Sequence, residues 1–136
     1  MSVSSADTNR GQRFRRTVPW LLPVSYTHLA LVDVSSVLAW VGGFGGYGDS
    51  KAAIWSLTNS LRIELEKQGT LVTSAHLGYT DTDMTTEFDV PKNDPRDVAR
   101  QIVDGVENGD AEVLADDLTR YIKSALSGPV EALRAG

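Results

Sequence analysis

Residues 45–69 read GGYGDSKAAIWSLTNSLRIELEKQG, a stretch that predicts one long helix. Its branched apolar side chains recur at helical spacing and fall on one apolar stripe: Ile54, Leu57, Leu61 and Leu65. Gly69 is a typical helix stop, so the helix is expected to end at about Gln68. The glycines before Tyr47 indicate a loop that leads into the helix.

Tyr47 and Lys51 stand four residues apart near the start of this helix. Side chains at that spacing project from the same face, one turn apart. A phenol holds its proton tightly in neutral water, and a neighbouring ammonium group stabilises the phenolate. The pair therefore suits acid–base chemistry. A tyrosine and a lysine at this spacing also arise by chance in ordinary helices, so the pair alone does not decide the function.

Upstream, residues 30–34 (ALVDV) predict a short, buried parallel strand that ends at Ser35 and Ser36. A hydroxyl at Ser36 could hydrogen-bond a substrate carbonyl or carbinol oxygen beside the phenol of Tyr47. A serine at a strand end is also a common turn residue. The glycines of residues 42–46 are interpreted as a turn rather than a phosphate loop, because a dinucleotide fingerprint joins the first strand directly to the first helix.

Downstream of the long helix the pattern continues to alternate. We expect a second strand at residues 71–77, a helix from Asp94-Pro95 to about Asn108, a third strand at residues 112–115 and a last helix at about residues 116–127. Strands that alternate with helices predict βαβ units and a parallel α/β sheet.

These segments together resemble the short-chain dehydrogenase/reductase family. The resemblance rests on Val34-Ser35-Ser36 at a strand end, Tyr47-Gly48-Asp49-Ser50-Lys51-Ala52-Ala53 at a helix start, and Gly78-Tyr79-Thr80-Asp81-Thr82 after the next strand. It runs from about Ala30 to the end of the chain. The fold that it implies is the C-terminal half of a Rossmann-like, doubly wound parallel sheet with three strands alternating with helices, so residues 30–136 are expected to form a partial domain.

The resemblance also implies a role for each matching residue. Tyr47 is the general acid/base, Lys51 assists it and binds the nicotinamide ribose, and Ser36 positions the substrate oxygen. Gly78 and Thr82 lie on the cofactor side, and the segment from about Asp83 to Lys92 covers the substrate. The implied cofactor is NAD or NADP, the partner is a small carbonyl or alcohol, and the parent family forms cytoplasmic homo-oligomers.

Several positions depart from the family pattern. The serine stands about two residues nearer to the tyrosine than is usual, so Ser35 is an alternative to Ser36. Leu77 replaces a common proline, and Asp33 stands where asparagine is frequent. The glycine-rich phosphate loop and the catalytic asparagine have no counterpart, so we expect a fragment that is inactive by itself. The alternative is a non-catalytic interaction module that assembles with full-length homologues through its long helix.

Residues 1–29 differ in character from the remainder and are expected to be a disordered or non-native leader. Arginines and Trp20-Leu21-Leu22 faintly suggest a targeting signal, but Pro19 and Pro23 interrupt the apolar region. Residues 24–29 (VSYTHL) match a translation of GTC TCT TAT ACA CAT CT, part of a transposase adapter used in sequencing libraries. We therefore hypothesise that an artificial junction precedes Ala30.

Composition excludes several classes of protein. With 41% hydrophobic and 23% charged residues, the chain resembles ordinary globular domains. It has no cysteine and only two isolated histidines, so a metal site is not expected. No apolar run is long enough to cross a membrane. The net charge is −5, of which residues 1–28 contribute +3, and the acidic remainder argues against a nucleic-acid partner.

Overall fold

The computed structural model of the chain describes residues 29–134. Within them strands and helices alternate in the order β1 (Ala30–Val34), α1 (Gly45–Glu66), β2 (Leu71–His76), α2 (Pro95–Asn108), β3 (Glu112–Leu114) and α3 (Asp117–Ala125). The three strands are parallel and lie side by side in chain order. The predicted half of a Rossmann-like sheet is confirmed for this part of the chain. The predicted leader, apart from Leu29, lies outside the described residues.

Strand β2 forms the centre of the sheet and is buried from Val72 to His76. Its parallel register sets Ala30 opposite Leu71 and Val34 opposite Ala75. The carboxyl ends of β1 and β2 therefore reach the same edge of the sheet, where ligands bind in open α/β folds. The segments that follow the two strands emerge next to one another at this edge.

Strand β1 was predicted to be buried, and the structure shows it exposed. Its apolar side chains Leu31, Val32 and Val34 are 40%, 39% and 49% exposed. Among the described residues only β2 pairs with it, so its outer edge is free. Parallel strands in folded domains are normally covered on both faces. Within residues 29–134, β1 therefore lies at an uncovered edge of the sheet.

Helix α1 begins at Gly45, earlier than the loop prediction, and ends at Glu66. The prediction that Leu57 joins the apolar stripe was wrong, because its side chain is 57% exposed. Thr58 is buried instead, and its hydroxyl lies 2.8 Å from a carboxylate oxygen of Asp33 on β1. Ile54, Leu61 and Leu65 remain partly buried, so Thr58 takes the place of Leu57 on the inner face of the helix.

The remaining elements follow their sequence signals closely. Asp94 caps α2 by accepting a hydrogen bond of 2.7 Å from the backbone of Arg96, and Gly109 closes the helix in the left-handed region. Strands β2 and β3 are each one residue shorter than predicted, and α3 is shorter at both ends. A 3₁₀ turn at Val130–Leu133 was not predicted. Within residues 29–134, no helix has the length and apolar character required to span a bilayer.

Candidate active site

The site begins where β1 ends. Ser36 caps a 3₁₀ turn at Val37–Ala39, and a glycine-rich turn then reverses the chain into α1. The first turn of α1 packs closely on the segment after β1, since a Cβ on Gly48 would lie 3.1 Å from the carbonyl oxygen of Leu38. This close approach brings the start of the helix, and hence Tyr47, next to the strand end.

Tyr47 and Lys51 lie on one face of α1, as their spacing predicts. The ammonium nitrogen of Lys51 is 5.7 Å from the centre of the Tyr47 ring. It also donates a hydrogen bond of 3.1 Å to the carbonyl oxygen of Val34, the last residue of β1. Tyr47 is 47% exposed, so the residue is accessible from outside. The lysine is therefore tethered between the sheet and the tyrosine.

Ser36 and Ser35 have different surroundings. The Ser36 oxygen accepts a hydrogen bond of 3.1 Å from the backbone of Leu38, and among the described residues its own proton has no acceptor. The Ser35 hydroxyl instead donates to the carbonyl oxygen of Lys51 at 3.3 Å. Only Ser36 lines the pocket that Tyr47 also lines. The short spacing between serine and tyrosine thus does not separate Ser36 from Tyr47.

A pocket of about 410 Å³ lies at this edge of the sheet. Its walls come from the segment after β1, the start of α1, the segment after β2, and the stretch that was predicted to cover the substrate. The residues that line it are Ser36, Val37, Leu38, Phe44, Tyr47, Gly78, Tyr79, Met84, Thr85 and Phe88. The sequence predicted Ser36, Tyr47 and Gly78 of this set and the segment that contains Met84, Thr85 and Phe88. It missed the apolar wall formed by Val37, Leu38 and Phe44.

Gly78 and Thr82 occupy different positions at the site. Gly78 lines the pocket, and its backbone N–H donates to a carboxylate oxygen of Asp116 at 2.7 Å. Thr82 is exposed and lies outside the pocket lining, where its backbone N–H donates to the hydroxyl of Thr85 at 3.2 Å. Thr85 therefore forms the pocket wall at this point, and Thr82 lies exposed outside the pocket.

Asp116 is a supporting residue that the sequence indicated only as the start of a helix. Its carboxylate accepts hydrogen bonds from the backbone of Gly78, the side chain of Asn93 and the backbone and hydroxyl of Thr119. Burial opposes ionisation, but these hydrogen bonds outweigh it and hold the pKa of Asp116 below its usual value. The ionised carboxylate thereby fixes the turn at Gly78, which forms one wall of the pocket.

A second buried cluster lies at the end of β2. The ring of His76 is fully buried and stacks on Trp40 with the ring centres 4.3 Å apart. Glu112 accepts hydrogen bonds from Lys123 at 2.7 Å and from the indole N–H of Trp55 at 3.3 Å. Burial lowers the pKa of His76, and Glu112 offsets this only in part. The cluster lies directly before the turn that carries Gly78, and both ring nitrogens of His76 lack a hydrogen-bond partner among the described residues.

The resemblance assigns three of the described residues to the nicotinamide end of the cofactor. Tyr47, Lys51 and Thr82 all lie at or beside the sheet edge where the strands end. The glycines of residues 42–46 follow a 3₁₀ turn rather than a strand, so they do not form a phosphate loop of the dinucleotide type. Within residues 29–134 the candidate contacts are therefore those for the nicotinamide and its ribose.

Comparison with known proteins agrees with this arrangement. The protein-family model described as short chain dehydrogenase matches residues 28–93. This range includes Ser36, Tyr47, Lys51, Gly78 and Thr82. These matches support membership of the short-chain dehydrogenase family. The family's pattern explains why a strand end, a helix start and the turn after the next strand meet at one pocket.

Individual relatives cover parts of the chain. An uncharacterized oxidoreductase from Staphylococcus epidermidis is 39% identical over 79 residues, which are 54% of this chain and 32% of that protein. A short chain dehydrogenase from Burkholderia cenocepacia, crystallised with NADP, superposes with a TM-score of 0.71 at 29% identity. That match covers 76% of this chain and 46% of the other. A short-chain dehydrogenase from Sphingobium yanoikuyae, in complex with NADPH, superposes with a TM-score of 0.58 at 22% identity over 73% and 42% of the two chains.

Proposed function

We propose that residues 30–134 supply the proton-transfer half of an NAD- or NADP-dependent oxidoreductase that interconverts carbonyls and alcohols. The observation that carries this proposal is the shared pocket of Ser36 and Tyr47, with the Lys51 ammonium 5.7 Å from the tyrosine ring. Membership of the family supports the reaction type. The aligned chain spans less than half of the solved Burkholderia relative, so the complete reaction requires the other half of the fold.

In the direction of reduction, the Tyr47 hydroxyl donates its proton to the substrate oxygen as the carbonyl becomes an alcohol. The free proton of Ser36 donates a hydrogen bond to the same oxygen and holds it beside the phenol. The Lys51 ammonium stabilises the phenolate that remains. In oxidation the three groups act in reverse, and Tyr47 accepts the proton of the alcohol.

The cofactor fits this arrangement at its nicotinamide end. Lys51 and Tyr47 would hold the ribose, and Thr82 would contact the carboxamide at the outer edge. The bound dinucleotide supplies or accepts the hydride. The solved Burkholderia relative was crystallised with NADP, which supports a nicotinamide cofactor for this chain.

A chimera provides the experiment. Residues 30–134 replace the matching C-terminal half of the Burkholderia dehydrogenase, whose structure superposes on them. Oxidation of NADPH and NADH is then followed with a panel of ketones and aldehydes. We expect turnover by the chimera and a loss of about 10²-fold or more in Tyr47→Phe, because a positioned general acid contributes about 10²–10⁴-fold.

Tyr121→Phe is the matched control, since Tyr121 lies on α3, is 64% exposed and does not line the pocket. It should leave turnover unchanged. A folded chimera that binds NADPH and reduces no member of the panel would refute the proposal. Equal turnover by Tyr47→Phe and Tyr121→Phe would refute the role of Tyr47.

The second candidate is an interaction module that assembles with full-length homologues. Specific support comes from α1, where Leu57 and Ile63 are 57% and 73% exposed. Trp55 does not belong to this outer face, because its indole N–H is bonded to Glu112. Exposed apolar side chains on a long helix are typical of a surface that packs against another chain.

Co-purification with a full-length relative separates the two candidates. Leu57→Glu with Ile63→Glu should abolish assembly if the outer face of α1 is the interface. Glu64→Gln, on the same exposed face, is the control for surface charge. Assembly without turnover in the chimera would favour the interaction module, whereas turnover that survives the double substitution would favour the enzyme.

A further inference from the structure

The pocket beside Tyr47 is lined mainly by apolar side chains. Apart from the hydroxyls of Ser36, Thr85 and the tyrosines, the side chains that line it are hydrocarbon or thioether groups. Within the described part of the chain, no carboxylate, ammonium or guanidinium group lines it. A charged substrate group would gain no ionic partner from the lining side chains, so any hydration that it loses there is not compensated.

The segment that closes the pocket is acidic on its outside. Residues 81–91 contain four acidic side chains and no lysine or arginine, and all four are exposed: Asp81, Asp83, Glu87 and Asp89. Their shared charge makes the potential at the pocket rim negative and repels anions. Carboxylates, phosphates and coenzyme A thioesters are therefore disfavoured at the rim as well as inside.

The base of this segment is fixed. Asn93 donates its backbone N–H to the carbonyl of Tyr79 at 2.8 Å, and Asp81 donates to the carbonyl of Asn93 at 3.0 Å. The side chain of Asn93 also donates to Asp116 at 2.8 Å. Two hydrogen bonds thus close the neck of the loop and a third ties the neck to Asp116, so the apolar side chains of the loop are held at the pocket.

Two of those side chains are unusually exposed for their type. Phe88 is 49% exposed and packs against Tyr79 with the ring centres 5.3 Å apart and the planes tilted by 48°. Met84 is 77% exposed beside them. Aromatic rings favour tilted or offset contacts with further rings, and methionine adapts to irregular apolar surfaces. An apolar group is therefore expected to pack against Tyr79, Phe88 and Met84, and an aromatic ring suits these side chains best.

We propose that the substrates of this site are uncharged ketones or secondary alcohols that carry an aryl group on the carbonyl or carbinol carbon. The aryl group packs against Tyr79, Phe88 and Met84, while the oxygen lies between Ser36 and Tyr47. This inference rests on the proposed function for the reaction at that oxygen. Binding of the apolar group depends on the chain's own residues and can be measured separately.

The experiment uses the full chain and two ligands that share one fluorinated ring. The first is 4-fluoroacetophenone, and the second is 4-fluorophenylglyoxylate, in which a carboxylate replaces the methyl group. Binding is measured by ¹⁹F NMR titration at pH 7.5, without cofactor. We expect the ketone to bind at least 10-fold more tightly than the glyoxylate. Phe88→Ala should weaken ketone binding about 5-fold or more.

Val103→Ala is the control, because Val103 is an exposed apolar residue on α2 that does not line the pocket. It should leave both affinities unchanged, and circular dichroism verifies that each variant is folded. Equal or tighter binding of the glyoxylate, an unchanged affinity in Phe88→Ala, or binding of neither ligand would overturn the inference. Selective ketone binding by a chain whose chimera shows no turnover would instead refute the proposed function and leave the ligand class standing.

Discussion

The ammonium group of Lys51 donates a hydrogen bond of 3.1 Å to the carbonyl oxygen of Val34. This bond joins the second turn of α1 to the last residue of β1. Because Tyr47 lies one turn earlier on the same face, the strand end, the lysine and the phenol form one connected group. The hydrogen bond to the strand therefore holds the Lys51 ammonium in place beside Tyr47.

Removal of that charge should affect chemistry more than folding. In the chimera, we predict that Lys51→Met lowers kcat by about 10²-fold, since the phenolate of Tyr47 loses its neighbouring cation. Lys67→Met, at the end of the same helix, is the matched control and should retain full activity. Steady-state kinetics with NADPH checks both variants. An active Lys51→Met enzyme would remove lysine from the proposed mechanism.

Glycine at position 48 is required by packing. We predict that Gly48→Ala lowers the melting temperature, although alanine favours helices, because its Cβ would lie 3.1 Å from the backbone oxygen of Leu38. Gly46→Ala provides the comparison, since its Cβ would have no neighbour within 4 Å. Thermal unfolding followed by circular dichroism should show opposite shifts. A Gly48→Ala variant as stable as Gly46→Ala would show that the close approach is unimportant.

The carboxylate of Asp116 should contribute measurably to stability. We predict that Asp116→Asn lowers the free energy of unfolding by about 2 kcal/mol, because an amide cannot accept all of the hydrogen bonds from Gly78, Asn93 and Thr119. Asp117→Asn is the neighbouring control, since its side chain is fully exposed and pairs only with Arg120 on the same helix. Urea titration of both variants measures the difference. Similar midpoints for the two would contradict the role of Asp116.

Protonation of His76 should destabilise the fold. Burial lowers its pKa in the folded chain below the ordinary value of 6.5, so the unfolded chain binds a proton first as the pH falls. We therefore predict that the free energy of unfolding decreases from pH 7.5 to pH 5.5, by at most about 1.4 kcal/mol per pH unit for one proton. The lowered pKa values of Glu112 and Asp116 act in a lower pH range.

Substitution by glutamine isolates the histidine. His76→Gln should flatten the dependence of unfolding free energy on pH between 7.5 and 5.5, and urea titrations at several pH values measure it. Loss of stability at all pH values is expected from repacking against Trp40, so the slope is the informative quantity. An unchanged slope would assign the pH dependence to another group.

Much of the fold could be predicted from patterns among residues close in sequence. The bounds of β1 at Ala30–Val34 and the cap of α2 at Asp94 were predicted correctly, because each depends on residues close in sequence. Tyr47 and Lys51 share a face since four residues nearly complete a helical turn. Leu57 was misplaced because hydrophobicity favoured it, whereas Thr58, which hydrogen-bonds Asp33, occupies the inner face of the helix.

The pocket walls depend on contacts that no local pattern contains. Met84 and Phe88 lie in a segment without helical or strand periodicity, and only the neck at Asn93 brings them over the sheet edge. Asp116 joins elements that are far apart in sequence, since its partner Gly78 lies 38 residues away. The exposure of β1 likewise follows from the neighbours it has in the sheet and is absent from its own apolar sequence.

The central claim is that Tyr47 transfers the proton when hydride is exchanged at this site. The most direct measurement is single-turnover reduction of 4-fluoroacetophenone by the chimera with NADPH deuterated at the reactive position, with product analysis by mass spectrometry. We predict one deuterium at the carbinol carbon with the unmodified chimera, and at least about 10²-fold slower product formation in Tyr47→Phe. Deuterated product formed at the same rate in Tyr47→Phe would contradict the claim.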